Sequence, residues 1–279
     1  MSHNYIADEF DINDADFVSA IDEVALWSVP FGLKLLDLVI LKPGINALDI
    51  GCGSGFPAIE LAQRLGSSSK VYGIDTWDKA IERAKSKSKI YNVRNVELII
   101  GKAENLQFED DFFDLIVSNN GINNVEDIKK VLNECNRTSK VNSQFVFSMN
   151  LENTMKEFYE IYKRVLSENN LEEESEQVNQ HIFERRKPVN IMKLYLKESG
   201  YAVKNIHYDK FFLSYLDGTT MFRHFFIRLG FMKSWKEIIK PENQNDIFIK
   251  LENELNKYSK LTGQIKLTIP YAVFDCIKI

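Results

Sequence analysis

A chain of 279 residues with 44% hydrophobic and 27% charged residues has ordinary globular composition, which excludes a disordered or collagen-like chain. Its 35 Lys and Arg against 40 Asp and Glu give a formal net charge of −5, which argues against the phosphate backbone of nucleic acid as the main partner. Three cysteines, Cys52, Cys135 and Cys276, make no CxxC pair and no even disulfide framework, so they read as reduced thiols in a cytoplasmic protein.

Residues 1–44 read as helices leading into a first strand. Their acidic beginning lacks the basic segment and apolar core of a secretion signal. The apolar stretch from Leu26 to Leu41 is interrupted by Lys34 and Asp37, and no segment approaches the ~18 continuous apolar residues of a membrane span. From 45 to 150, five short apolar runs alternate with helical periodicity: 46–50, 71–75, 96–100, 113–118 and 144–149. Near-continuous apolar strands of this kind suit a parallel sheet covered on both faces. Between them, Ala58, Leu61, Ala62 and Leu65 share a helix face that Gly66 can stop. Asp78 is the expected cap of the next helix, and Asn124 that of a third carrying Val125, Ile128, Leu132 and Cys135.

Beyond residue 150 the pattern changes. A helical stripe (Leu151, Met155, Phe158, Tyr162, Val165) and the acidic run Glu172–Glu176 fill 151–189, read as a helical insertion. Residues 190–279 finish the sheet with a helix to Gly200, strands near 202–214 and 269–279, and a second helical insertion at 218–262, where Ser234 and Glu237 match a capping box. Regular strand–helix alternation implies an α/β fold, a doubly wound and mostly parallel sheet whose strand-like runs number seven.

The informative stretch is Leu48-Asp49-Ile50-Gly51-Cys52-Gly53-Ser54-Gly55-Phe56-Pro57, between the first strand and first helix, at the carboxyl edge where ligands bind in such sheets. Glycines at alternate positions let a ligand approach the backbone. The phosphate-cradling GxxxxGK[ST] does not occur. A GxSxG nucleophile elbow would need glycine at Cys52 and Phe56, and the dinucleotide fingerprint would need it at Phe56. What remains is D-x-G-x-G-x-G.

This segment resembles the first signature of the class I S-adenosylmethionine (SAM) methyltransferases. The resemblance runs in register over roughly residues 45–150: Asp75 closes the second strand, Gly101-Lys102-Ala103-Glu104 follows the third, and Phe113–Asn120 looks like the fourth strand and the start of its loop. It implies a Rossmann-like fold, a SAM-binding core at 45–150, and helical segments at 1–44 and 151–189 capping an acceptor site. It also implies SAM as cofactor and S-adenosylhomocysteine as product. By this resemblance Asp49 lies near the cationic methionyl end, and Gly51, Cys52, Gly53 and Gly55 give loop contacts. Asp75 takes the ribose hydroxyls, Thr76 and Trp77 flank the adenine, Ala103 and Glu104 reach its edge, and Asn119 and Asn120 sit below the methyl group.

Methyl transfer from a sulfonium is an in-line displacement in which alignment and water exclusion supply much of the acceleration. A catalytic dyad is therefore not required, and none is evident. His181, His207 and His224 are the internal candidates for a base, each more readily read as packing or surface. Trp27, Phe31, Phe158, Tyr162, Phe222 and Phe225 are candidates to line an acceptor pocket, although their spacing suits packing. Ser118-Asn119-Asn120-Gly121 lacks the prolines and aromatic of adenine-N6 methyltransferases. The layout resembles the small-molecule branch, including the ubiquinone/menaquinone C-methyltransferase-like proteins. The expectation is a methyltransferase with a small-molecule acceptor and no metal. A non-catalytic SAM-binding regulatory module is the main alternative, and a nicotinamide-dependent oxidoreductase a weaker one that Phe56 counts against.

Overall fold

The computed structural model describes residues 4–6, 10–23 and 26–279. The chain divides into two compact units, one of Ile12–Leu151, Arg186–Asp209 and Tyr271–Ile279, the other of Met1–Asp11, Glu152–Arg185 and Lys210–Pro270.

The first unit begins with helices α1 (Ala15–Glu23) and α2 (Ser28–Leu38). Strand and helix then alternate through β1 (Asn46–Ile50), α3 (Ala58–Leu65), β2 (Lys70–Asp75), α4 (Asp78–Ile90), β3 (Val96–Ile100), β4 (Phe113–Asn119), α5 (Ile128–Thr138) and β5 (Ser139–Asn150). After α6 (Lys156–Glu168) and α7 (Glu172–Arg185) of the second unit, the chain adds α8 (Val189–Glu198) and β6 (Tyr201–Tyr215). The last strand is β7 (Ile265–Lys278), and the seven strands form one sheet in the order β3-β2-β1-β4-β5-β7-β6. Neighbours from β3 to β5 are parallel, whereas β7 runs antiparallel to β5. This is the doubly wound, mostly parallel seven-stranded sheet that the alternation predicts. The order reverses between β1 and β4, and a crevice opens at such a reversal beyond the carboxyl ends of the strands.

The sheet is anchored by fully buried side chains on its central strands, among them Leu48, Ile116, Phe145, Phe147 and Phe274. Phe147 and Phe274 stack with ring centroids 4.7 Å apart. Helix α3 buries Ala58, Leu61, Ala62 and Leu65, and Gly66 ends it at φ +72 with its N–H on the Ala62 carbonyl, as the sequence predicts. The three thiols are buried: Cys52 past β1, Cys135 in α5 and Cys276 in β7.

Three expected caps need correction. Helix α5 is capped by Asp127, whose carboxylate accepts from Lys130 N–H at 3.0 Å, while Asn124 ends a 3₁₀ turn over Ile122–Asn124. Asp78 is the first residue of α4 and not its cap. Ser234 begins no helix, because it lies inside a run comprising α10 (Phe225–Ile227), a π turn (Arg228–Met232) and α11 (Lys233–Lys236); its hydroxyl donates back to the Phe231 carbonyl at 2.9 Å.

In the second unit, α6 and α7 join α9 (Gly218–Arg223), the run through α11, and α12 (Pro241–Thr262). Its centre is aromatic. Trp235 is fully buried and stacks on Phe158 at 4.0 Å; its indole N–H donates to the Tyr159 hydroxyl at 3.0 Å, and its carbonyl accepts from the Tyr162 hydroxyl at 2.8 Å. Phe158, Tyr162 and Phe222 are wholly inside this core, and Phe31 of the first unit is buried edge-on against Tyr271. These four rings are packing residues. Among the described residues no helix is long and apolar enough to cross a membrane.

Candidate functional site

The glycine loop leaves β1 and is stitched to the end of β2. The N–H groups of Gly51 and Cys52 both donate to the Ile74 carbonyl, at 2.9 and 3.2 Å. Gly53 N–H donates to Asp75 Oδ2, and Trp77 N–H to Asp75 Oδ1, each at 2.8 Å. Asp75 thus fixes both the loop and its own turn, and a carboxylate with about four lone-pair directions retains capacity for further donors. Gly51 has φ +73, and a side chain there would begin 2.9 Å from the Gly121 Cα, so the β1 and β4 loops touch backbone to backbone. The Cys52 thiol packs beside Gly73, and burial pushes it well above the ordinary thiol range, so it is no nucleophile.

Between these loops lies a cleft of about 280 Å³, bounded by Gly51, Asp75 and Thr76 on one side, the turn Gly101–Glu104 on another, and Gly121 with Asn124, Val125 and Glu126 on a third. Its volume is just under the roughly 300–1,000 Å³ of drug-sized ligand sites, which suits a nucleoside. Asp75, Glu104 and Glu126 face a single lysine, Lys102, whose ammonium is 2.9 Å from Glu126. The net negative charge here would repel a pyrophosphate but not a neutral or cationic ligand.

Of the residues singled out in the sequence, Gly51, Asp75, Thr76, Ala103 and Glu104 border the cleft. Glu104 also braces its far wall, accepting from the N–H of Glu126 at 2.9 Å and of Asp127 at 3.4 Å. Asp49, Cys52, Gly53, Gly55, Trp77, Asn119 and Asn120 do not border it. Asn119 has both arms of its amide engaged: Nδ2 donates to the Ser28 carbonyl of α2 at 2.9 Å, and Oδ1 accepts from the Ser148 hydroxyl at 3.0 Å. Asn120, at φ +56, accepts through Oδ1 from Asn123 Nδ2 and from Asn150 N–H. The wall formed by Gly121 and Asn124–Glu126 is absent from the sequence reading; its signal is the Asn-Asn-Gly turn that ends β4.

Asp49 is the exceptional group. It lies in β1 between Gly73 of β2 and Val117 of β4, fully buried, and neither carboxyl oxygen has a hydrogen-bond partner among the described residues. Burial raises its pKa to about 8 and the Asp75 charge adds to the rise; the Ala58 N–H at the start of α3, too poorly placed to count as a hydrogen-bond partner, lowers it only in part. An unpartnered buried carboxyl is costly, and it persists where something else supplies its partner.

None of the three candidate histidines borders the cleft. His181 lies on α7 against Tyr159, His207 pairs with Asn205 on β6, and His224 packs against Tyr215, its pKa lowered by burial.

A family model described as a methyltransferase domain matches residues 41–202, more than half of the chain and all of β1 to β5. The chain belongs to this methyltransferase family. The chain is 34% identical over 130 residues to a demethylmenaquinone methyltransferase of Bacillus mycoides, covering 47% of this chain and 54% of that protein. It is 38% identical over 104 residues to a 2-phytyl-1,4-naphtoquinone methyltransferase of Trichormus variabilis, covering 37% and 45%. The chain therefore spans about half the length of the curated relatives it matches. Among solved structures, a SAM-dependent methyltransferase from Aquifex aeolicus superposes with a TM-score of 0.56 at 15% identity, covering 96% of this chain and all of that one. The YcgJ protein of Bacillus subtilis gives 0.58 at 19% identity, covering 89% and 97%. These two likenesses show the shared fold.

Proposed function

We propose that this chain transfers a methyl group from SAM to a small-molecule acceptor, with a quinone-type ring as the acceptor class its relatives suggest. The observation that carries this reading is the acidic, nucleoside-sized cleft at the strand-order reversal, beside a buried carboxyl without a hydrogen-bond partner among the described residues. Asp75 would accept the ribose hydroxyls, and Thr76, Ala103 and Glu104 would hold the base. The loop Gly51–Gly55 offers backbone groups to the amino acid end, and Asp49 a counter-charge. Trp77, Asn119 and Asn120 would complete the site, the asparagines by shaping the floor beside β4. When bound, SAM supplies an electrophilic methyl on a sulfonium that leaves as a neutral thioether. The chain's own work is then to orient, exclude water and hold the positive charge.

The helical segments outside 45–150 are where we place acceptor recognition, and 218–262 lies beyond the stretch matched by the family model. We place the protein in the cytoplasm, without a nucleic-acid partner. Calorimetry with SAM and with S-adenosylhomocysteine tests the cofactor; no binding of either at millimolar concentration rejects it. The alternative of a non-catalytic SAM-binding module is favoured by the absence of a histidine from the cleft among the described residues. Transfer of labelled methyl to a demethylated quinone, or to any component of a metabolite extract, excludes that alternative.

Asp75→Ala is expected to weaken SAM by about 1–3 kcal/mol, because the ribose partner and the loop tether are lost together. Calorimetric affinity within twofold of the unaltered protein would refute the assignment.

A further inference from the structure

Helix α1 carries a charge cluster that the cleft itself does not use. Asp22 accepts three hydrogen bonds: from the Ser54 hydroxyl at 2.6 Å and Lys87 Nζ at 2.6 Å through Oδ1, and from Arg83 Nε at 3.0 Å through Oδ2. Its side chain is only 8% exposed, and Lys87 is 14% exposed, so these are largely desolvated contacts and not a screened surface pair. Burial opposes the Asp22 charge, but the hydrogen bonds from Lys87, Ser54 and Arg83 outweigh it and hold the carboxyl below its ordinary range. Ser54 sits between Gly53 and Gly55, in the middle of the glycine loop. At the other end of the same segment, the Ile12 carbonyl accepts from the Trp77 indole N–H at 2.9 Å, two residues past Asp75. One short stretch of chain, Ile12 to Asp22, is thus fastened both to the loop after β1 and to the turn after β2.

A loop of alternate glycines has more backbone freedom to lose than one of substituted residues, so a fastening outside the loop helps to hold it in one conformation. We propose that Asp22 is a positioning residue: through Ser54 it keeps the Gly53–Gly55 loop in the form that receives the cofactor, with α1 as the strap. Lys87 and Arg83 hold the Asp22 carboxylate in place from α4, and the Ser54 hydroxyl transmits that placement to the loop. Affinity gained in this way comes from pre-organisation and not from contact with the ligand.

This inference rests on the SAM reading above, and a binding cycle separates the two. Calorimetry would measure SAM and S-adenosylhomocysteine on the unaltered protein, Asp22→Asn, Ser54→Ala and the double variant. Each single change is expected to raise Kd about five- to tenfold for both ligands, and the double variant is expected to be no worse than the weaker single. A merely structural role of Asp22, through α4, would leave the Ser54→Ala affinity unchanged or make the two effects multiply; either result overturns the proposal. If Asp22→Asn does not purify as a folded protein, Ser54→Ala decides alone, since it removes one hydroxyl and leaves both cations on Asp22. Absence of binding by the unaltered protein would instead sink the SAM reading itself.

Discussion

Asp49→Asn is expected to make the protein more resistant to heat at pH 7 while weakening its hold on SAM. An ordinary unfolded aspartate titrates near 3.9, whereas burial lifts Asp49 in the folded chain to about 8. Between those two values the folded state keeps a proton that the unfolded state has released. The unfolded state therefore binds fewer protons, and stability falls as pH rises through the window from about 4 to about 8. Asparagine has no proton to lose, so the variant should lack this slope. Its advantage should vanish near pH 4 and reach at least about 1 kcal/mol at pH 7. Thermal melts of both proteins from pH 4 to 8 check this, and parallel pH profiles would refute the assigned titration. Binding runs the other way. A cation settling beside Asp49 favours the carboxylate and expels the proton, so SAM affinity of the unaltered protein should rise towards pH 8. The asparagine variant should bind about tenfold or more weakly there, one pKa unit corresponding to a factor of ten.

Gly121→Ala is expected to damage both the fold and the cleft. The backbone at Gly121 has φ −76, which any residue adopts, so the single obstacle is space. A Cβ there would stand 2.6 Å from the Ile50 carbonyl oxygen, 2.9 Å from Ser118 Oγ and 3.2 Å from the Gly51 Cα. Two of these are backbone atoms that cannot swing aside. Ser118 Oγ is engaged as well, donating to the Ile50 oxygen at 2.9 Å and accepting from Ile122 N–H at 3.2 Å. Relief requires the loops after β1 and β4 to part, at a cost of about 1–3 kcal/mol of the kind seen on overpacking. Because Gly51 and Gly121 both border the cleft, SAM affinity should fall more than tenfold alongside. Gly44→Ala is the matched control: φ is +71 but nothing lies within 4 Å of the added methyl, so it should cost about 1 kcal/mol and leave binding intact. Equal affinity for the Gly121→Ala and Gly44→Ala proteins would show that the loop contact does not shape the site.

The parts of the architecture that local chemistry writes are legible in the sequence. The apolar runs at 46–50 and 96–100 are β1 and β3 to the residue, and Gly66 stops α3 with a positive φ of +72 that favours glycine. Strands with polar ends extend past their apolar runs: β5 begins at Ser139, five residues before its apolar stretch, and β7 at Ile265. The loop glycines and Asp75 stood out because spacing carries their signal. Hydrogen bonds between distant residues carry none. Asp22 and Ser54 are 32 residues apart and Asn119 and Ser28 are 91 apart, and no periodicity links either pair. The third wall of the cleft leaves no periodic signal in the sequence because a 3₁₀ turn has too few residues for a pattern, and the same turn moves the α5 cap from Asn124 to Asp127.

The sealed thiols have a practical consequence. Cys52, Cys135 and Cys276 are each no more than 1% exposed, and burial raises the pKa of each, so an alkylating reagent finds neither access nor thiolate in the closed protein. Alkylation under native conditions would therefore count openings, and mass spectrometry of the three peptides would time them separately for the loop after β1, helix α5 and strand β7.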